Sequence, residues 1–474
     1  MPDAELFRTR RRALAERVSG PVLLMGNGHR LRNLPIVKLP FRQDSTFLYF
    51  TGCAEPGAAA LLVDGRCELF LPAPAADDPL WHGERPSPAA RGEALGVDRV
   101  WPASELEARA APLRPRTLAV PDESRNALAS RICGGPLAFA VRGADGDDAL
   151  IDAVIALRRV KDPYELAELR AAAQVTARAF RAAMKATRPG SHERGLWALF
   201  EAVLQIHGCT PGYATILTQA GEILHAEDHD APLEAGRLVL LDGGGERPSG
   251  YGVDITRTWP VSGRYDPRQR AVYQAVWEAQ RAAIAACTVG TRYRVVHDAA
   301  ATVLATFLRD EGLVKGSVAS VVEQGAHAVF FPHGVGHLLG LDVHDLEGFG
   351  DRAAYPAGAS RSDQFGTAYL RLDLPLEAGW VVTVEPGLYV VPAILADATL
   401  RERFGGVVDF ARAESWIGFG GIRIEDDVAV GDSGPEVLTR AVPSAIDEVE
   451  AWIGTGPTAL DALTVDAEAL LWEP

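Results

Sequence analysis

The sequence predicts two folded parts: an α/β layer domain over residues 1–155 and a larger α+β domain over 156–455, followed by a tail at 456–474. Three observations carry this reading. Short apolar runs alternate with helical patterns in the first part, as in a layered α/β domain. A helix–helix–strand unit occurs twice in the second part. Carboxylates at 242, 254, 385 and 425 interrupt otherwise apolar strand patterns, a costly placement unless each is paired or bound to a cation.

In the first part PVLLMG (21–26), TFLYFTG (46–52), AAALLVDG (58–65), CELFLP (67–72), DRVWPA (98–103) and RTLAVPD (116–122) read as strands. Helical patterns such as LFRTRRRALAERV and AARGEALG lie between them, which predicts a partly parallel sheet. No metal-type ligands cluster here, so this domain is expected to shape a cleft or an oligomer contact.

The pattern changes near Arg158. Asp162-Pro163 followed by Glu165 is a helix start, with an aspartate N-cap, proline at the first helical position and an acid able to close a capping box. That helix stops at Pro189-Gly190, and a second runs from about Glu193 to Ile206 before the strand LVLLDGGG. The order repeats downstream. Asp266-Pro267 with Gln269 starts a helix that Gly290 ends, a second spans about 294–309, and the strand WVVTVEPG follows. Both strands share the lead-in Pro-Leu-Glu-Ala-Gly, at 232–236 and 375–379, and each carries a carboxylate six residues past the glycine, Asp242 and Glu385. Each half adds a second carboxylate strand, GYGVDITRTWPV with Asp254 and GGIRIEDDVAV with Glu425. The insert between Glu385 and Glu425 is mostly helical in pattern, and VPSAIDEVEAWIG closes the domain as a short helix. The stretch FPHGVGHLLGLDVHD (331–345), with His333, His337 and His344, falls in extra length of the second half and is expected to have no counterpart in the first.

Bulk properties narrow the function. A net charge of −16 argues against a nucleic-acid partner. The five cysteines are odd in number and scattered, the pattern of free thiols in a reducing compartment. The N-terminus lacks the apolar core of a signal peptide, and no apolar run approaches the about 18 residues that would span a membrane. These point to a cytoplasmic protein without a membrane partner.

Four carboxylates with a histidine nitrogen form an oxygen-rich ligand set that favours Mn²⁺, Co²⁺, Fe²⁺ or Zn²⁺. Two such ions about 3.5–4 Å apart would activate a shared water and polarise a carbonyl. One such acid alone would read as a surface or salt-bridge residue; four in apolar strands beside HxxxH do not. Glycines at 334 and 336 argue against a helix presenting both His333 and His337.

The motifs LLDGGG, GYGVDITRTWPV, PHGVGHLLGLDVHD, TVEPGLY and GGIRIEDD, in this order, resemble the pita-bread metallopeptidases, specifically the proline-specific branch of aminopeptidase P and prolidase. The resemblance covers about 150–450 and extends to the N-terminal domain through FRQDSTFLYFTG (41–52). It implies a pita-bread catalytic domain with pseudo-two-fold duplication. It also implies two divalent ions, Mn²⁺ first, held by Asp242, Asp254, His337, Glu385 and Glu425, with Asp254 and Glu425 bridging. Glu385 would shuttle protons, His344 would stabilise the tetrahedral intermediate, and His225 and His333 would position an Xaa–Pro substrate. Arg423, two residues before Glu425, would orient an acidic ligand from the same strand face. The spacing from Asp242 to Asp254 is one residue longer than usual in the family, and the extra residue is assigned to the turn 246–250, leaving both ligands in place.

Within the branch, two features favour an Xaa-Pro dipeptidase: the long 385–425 segment, and Arg371, placed where prolidases carry an arginine for the substrate carboxylate. FRQDSTFLYFTG resembles the aminopeptidase P version more, which keeps an Xaa-Pro aminopeptidase acting on longer peptides as the alternative. A non-catalytic pita-bread binding module stands further off, since all five ligand positions hold the expected residue types. The resemblance also implies a homodimer or homotetramer.

Overall fold

The computed structural model describes residues 4–34, 36–140 and 143–459, so most of the expected tail lies outside the described residues. The chain forms two compact units, Met1–Val160 with Leu346–Ala353, and Lys161–Asp345 with Ala354–Pro474.

The first unit holds a four-stranded sheet. Val22–Met25, Ala59–Val63 and Arg66–Leu71 pair antiparallel in sequence order, and Arg99–Pro102 adds in parallel to Arg66–Leu71. Leu23, Leu61, Phe70, Leu106 and Ile132 are buried together in its core. Two expected strands are absent. TFLYFTG is instead the helix Ser45–Thr51, because Asp44 caps Phe47 N and Gly52 closes the end at φ 65. Its apolar character suits a helix buried nearly all round, which an alternation test cannot tell from a buried strand. RTLAVPD makes only isolated bridges, Arg116 to Val22 and Leu118 to Gly146. The Asn126 amide takes both backbone groups of Val120, so no ladder continues there.

In the second unit the duplication is explicit. Helices Pro163–Ala186 and Pro267–Ala286 both start with a complete capping box, Asp162 with Glu165 and Asp266 with Gln269. Each packs on its successor, Glu193–Ile206 or Tyr293–Asp310. The lead-ins repeat bond for bond. Gly190 N donates to Leu233 O and Leu233 N to Ser191 O, as Gly290 N donates to Leu376 O and Leu376 N to Thr291 O. Gly236 and Gly379 both turn the chain at left-handed φ, 84° and 85°. The insert after Glu385 carries three short helices, Pro392–Ala396, Ala398–Phe404 and Phe410–Glu414, and the closing helix is Ile446–Trp452.

The five cysteines are free thiols. Among the described residues no helix is long and apolar enough to cross a membrane.

Candidate metal centre

The centre is built where strands end. Asp242 is the last residue of Leu238–Asp242, flanked in the sheet by Ile216 and Thr256. A Cβ at Gly244 would lie 1.6 Å from Val253 O, so only glycine lets the chain pass here and bring Asp254 back beside Asp242. In the second half Val381–Val384 pairs with Asp426–Gly431, and Gly387–Tyr389 with Gly421–Arg423. Glu385 and Glu425 fall in the break between these two ladders. The expectation of four carboxylates within strands is therefore corrected: Asp242 alone is a strand residue. Pro386 has no N–H to continue a ladder, and the neighbouring amides bond elsewhere. Glu385 N donates to Val335 O at 2.8 Å, Glu425 N to Thr256 O at 3.0 Å, and Asp254 N to Asp427 Oδ2 at 3.2 Å. Backbone satisfied in this way frees the chain to kink and to aim three carboxylates at one point.

The two halves are not strict equivalents at this point. Asp242 faces Thr256, whereas continuing Val384↔Asp426 by one residue sets Glu385 across from Glu425. By register the counterpart of Glu425 is Thr256, and its hydroxyl donates to Glu425 Oε2 at 2.7 Å. The histidine stretch also has a counterpart, contrary to expectation. Thr383 N donates to His337 O, Leu339 N to Val381 O, and Leu338 bridges Val382. The segment 335–339 thus lies along its strand as Ile216–Thr218 lies along Leu238–Asp242. It is irregular, not helical, as its glycines predict.

Three overlapping sets bring ligand atoms within 4.8 Å of one another: Asp242, Asp254 and Glu425; His337, Glu385 and Glu425; and Asp254, His337 and His344. The longer turn after Glu246 leaves Asp242 and Asp254 side by side. His337 Nδ1 lies 3.0 Å from Leu338 O, which directs Nε2 toward Asp254 Oδ2 at 3.5 Å and Glu385 Oε1 at 3.8 Å. A ring oriented by a carbonyl on one nitrogen is the usual arrangement of a histidine that ligates through the other.

Electrostatics make the same point. Asp242, Asp254 and Glu425 are buried. Arg423 answers one charge, with Nη2 on Asp242 Oδ2 at 2.5 Å. Burial, then repulsion from Asp254 and Glu385, pushes Glu425 well above the ordinary carboxylate range. Glu385 rises to about 8 through burial and Asp254, against the opposing pull of Arg423 and Arg371. Asp242 is raised by burial although Arg423 opposes it. Clustered buried carboxylates with too little positive charge fit two divalent cations, and the donor set is of the right hardness for first-row ions.

Around this core, His344 packs its ring on that of His337 with centroids 4.5 Å apart and stays open to solvent. It is pushed well below the ordinary histidine value, first by desolvation, then by His337 and Arg371. His333 has both nitrogens engaged, Nε2 with the Tyr389 hydroxyl at 2.9 Å and Nδ1 with Gly334 O at 2.8 Å. Tyr389 in turn accepts from Arg423 Nη1 at 3.0 Å. Arg371 is half-buried, and its charge acts on His333, His344 and Glu385 together. His225 is exposed, and its charge reaches His333.

Sequence reasoning missed four residues here. The Tyr213 hydroxyl meets Asp242 Oδ1 at 2.6 Å and also Asp254 Oδ1, joining two carboxylates from outside. Thr256 links Arg423 to Glu425, accepting from Arg423 Nε at 3.0 Å. Tyr389 and the fully buried Asp427 complete the shell. Asp427 stood in the quoted EDD run, but Tyr213 lies in an irregular loop with no pattern to mark it.

A carboxylate–histidine cluster at the broken strands of a duplicated domain, in a chain that also carries a separate α/β domain, defines a metallopeptidase of the pita-bread fold. The chain belongs to metallopeptidase family M24, whose model matches residues 167–432, and residues 7–117 match the aminopeptidase P N-terminal domain. It is 35% identical over 464 residues to Xaa-Pro aminopeptidase 2 of Streptomyces coelicolor, covering 94% of this chain and 90% of that protein. It is 32% identical over 468 residues to the human Xaa-Pro dipeptidase, covering 94% and 92%. The structure of Pseudomonas aeruginosa aminopeptidase PepP superposes with a TM-score of 0.78 at 30% identity, covering 96% of this chain and 98% of that one.

Proposed function

We propose that this enzyme hydrolyses the bond preceding proline and is an Xaa-Pro dipeptidase. The proline specificity is supported by the relatives, named both Xaa-Pro aminopeptidase and Xaa-Pro dipeptidase. The choice between them rests on Arg371, whose positive charge acts on Glu385, His333 and His344 at once. A guanidinium so placed suits the C-terminal carboxylate of a dipeptide, which a longer substrate would not present there.

Asp242, Asp254, His337, Glu385 and Glu425 would hold two divalent ions, Mn²⁺ in the first instance with Co²⁺, Zn²⁺ or Fe²⁺ as substitutes. Bound there, the ions would lower the pKa of a shared water and polarise the scissile carbonyl. Glu385, less deeply buried than Asp242, Asp254 and Glu425, takes the proton of the attacking water and returns it to the proline nitrogen. His344, open to solvent and in edge-to-face contact with His337, donates to the oxygen that gains charge in the transition state. Arg423 and Tyr213 keep Asp242 in its orientation, and His225 and His333 border the substrate. The chain is assigned to the cytoplasm as a homo-oligomer, in keeping with its free thiols.

A substrate-length series with added Mn²⁺ tests the reading. Ala-Pro should be cleaved faster than Xaa-Pro-Pro peptides, and Arg371→Ala should raise KM for Ala-Pro at least tenfold. Efficient release of the first residue from the longer peptide, with Arg371→Ala harmless, would reassign the enzyme as an aminopeptidase.

A further inference from the structure

Lys161 Nζ and Asp345 Oδ2 form an ion pair of 2.8 Å whose side chains are 0% and 1% exposed, the most completely buried charge pair among the described residues. Such a pair is poor value as a stabiliser, because removing both charges from water offsets most of their attraction. Its placement gives it another use. Asp345 directly follows His344 and closes the loop that starts at His337: Asp345 N donates to Leu338 O at 2.9 Å, and Asp342 N reaches Asp345 Oδ1 at 3.4 Å. The loop is drawn tightly onto the pair. A Cβ at Gly340 would lie 2.5 Å from Asp345 Oδ2 and 2.8 Å from Lys161 Cε, so residue 340 must be glycine for the carboxylate to sit inside its own loop. Immediately beyond, Leu346 adopts φ 66, a conformation that costs a branched side chain free energy and persists only where the surroundings impose it. Lys161 is itself fixed, its backbone N donating to Gly379 O at 2.8 Å at the lead-in of the Val381–Val384 strand. That strand is the one His337 lies along.

We propose that Lys161 and Asp345 are positioning residues: the buried pair holds the His337–His344 loop closed so that His344 stays in edge-to-face contact with His337 and aimed at the reacting carbonyl. Lys161 anchors to the lead-in of the strand that runs up to Glu385 and Asp345 to the loop that carries His344, so the pair ties the two together. The inference rests on the assignment of His344 to the transition state.

The experiment is a double-mutant cycle on the Mn²⁺-loaded full chain with Ala-Pro. Lys161→Met keeps the stem and removes the charge; Lys161→Met/Asp345→Asn neutralises both partners and spares the protein an uncompensated buried charge. Each should lower kcat at least tenfold with KM and bound manganese within twofold of the parent, because a transition-state contact is lost and ground-state binding is not. Combined with His344→Ala, neither should slow the enzyme more than twofold beyond His344→Ala alone. Multiplicative losses in the cycle, or a rise in KM at constant kcat, overturn the positioning role while leaving His344 in place. A His344→Ala enzyme with unchanged kcat instead removes His344 from the reaction, and the positioning role with it. Failure of both neutralised variants to yield folded, metal-binding protein assigns the pair to stability alone and also overturns the proposal.

Discussion

Acidification should weaken this fold through two buried histidines that are not among the metal ligands. His297 and His327 are 0% and 2% exposed, with ring centroids 6.0 Å apart, and His297 stacks on Phe331 at 5.2 Å. Among the described residues neither ring nitrogen of His297 has a hydrogen-bond partner. Burial, then His327, His333 and Arg294, pushes His297 down to about 3; burial pushes His327 to about 4, with the Val321 backbone opposing. Above pH 6.5 both rings are neutral in the folded and unfolded chain and contribute no pH dependence. As pH falls, the unfolded chain takes up protons that the folded one refuses, so stability is lost from about 6.5 down to the folded values. At pH 5 each ring has traversed about 1.5 pH units, or about 2 kcal/mol, giving about 4 kcal/mol for the pair. The assay is urea unfolding at pH 7.5 and 5.0, at constant ionic strength and manganese, for the parent and for His297→Leu/His327→Leu. The parent should lose about 4 kcal/mol more than the double variant over this interval. Parallel losses, within about 1 kcal/mol, would show that the rings are hydrated or already charged in the fold, and would refute the reasoning.

Two substitutions, one of them with a control, test the construction of the centre. Gly244→Ala must displace the Val253 carbonyl, so it should destabilise the second unit by more than about 4 kcal/mol, while Gly406→Ala, with no neighbour within 4 Å, should shift the thermal midpoint by less than about 2 °C. Tyr213→Phe removes a hydroxyl shared by Asp242 and Asp254, and calorimetric titration should show manganese affinity falling about 10- to 100-fold; an unchanged affinity would place that hydroxyl outside the metal's support.

Much of the second unit was legible in the sequence because its signals are local. A capping box is written in four residues, so Asp162–Glu165 and Asp266–Gln269 fixed two helix starts. The repeated lead-in proved to be a repeated set of backbone bonds, and the acids of the quoted motifs do meet in space. The misreadings came where burial overrode pattern. TFLYFTG is apolar on every side because it is enclosed, so its composition could not separate strand from helix, and the cap at Asp44 was the deciding signal left unread.

What the sequence by itself determined was the inventory of the centre: which carboxylates, which histidine stretch and which duplicated scaffold. Tertiary structure alone decided their relations. Thr256 stands where the repeat would place a counterpart of Glu425, the His337 segment takes the position that Ile216–Thr218 holds in the first half, and Tyr213 joins two acids 29 and 41 residues downstream. Those relations depend on strand register and on contacts between distant segments. Neither leaves a periodicity in the chain, whereas caps, turns and strand runs do.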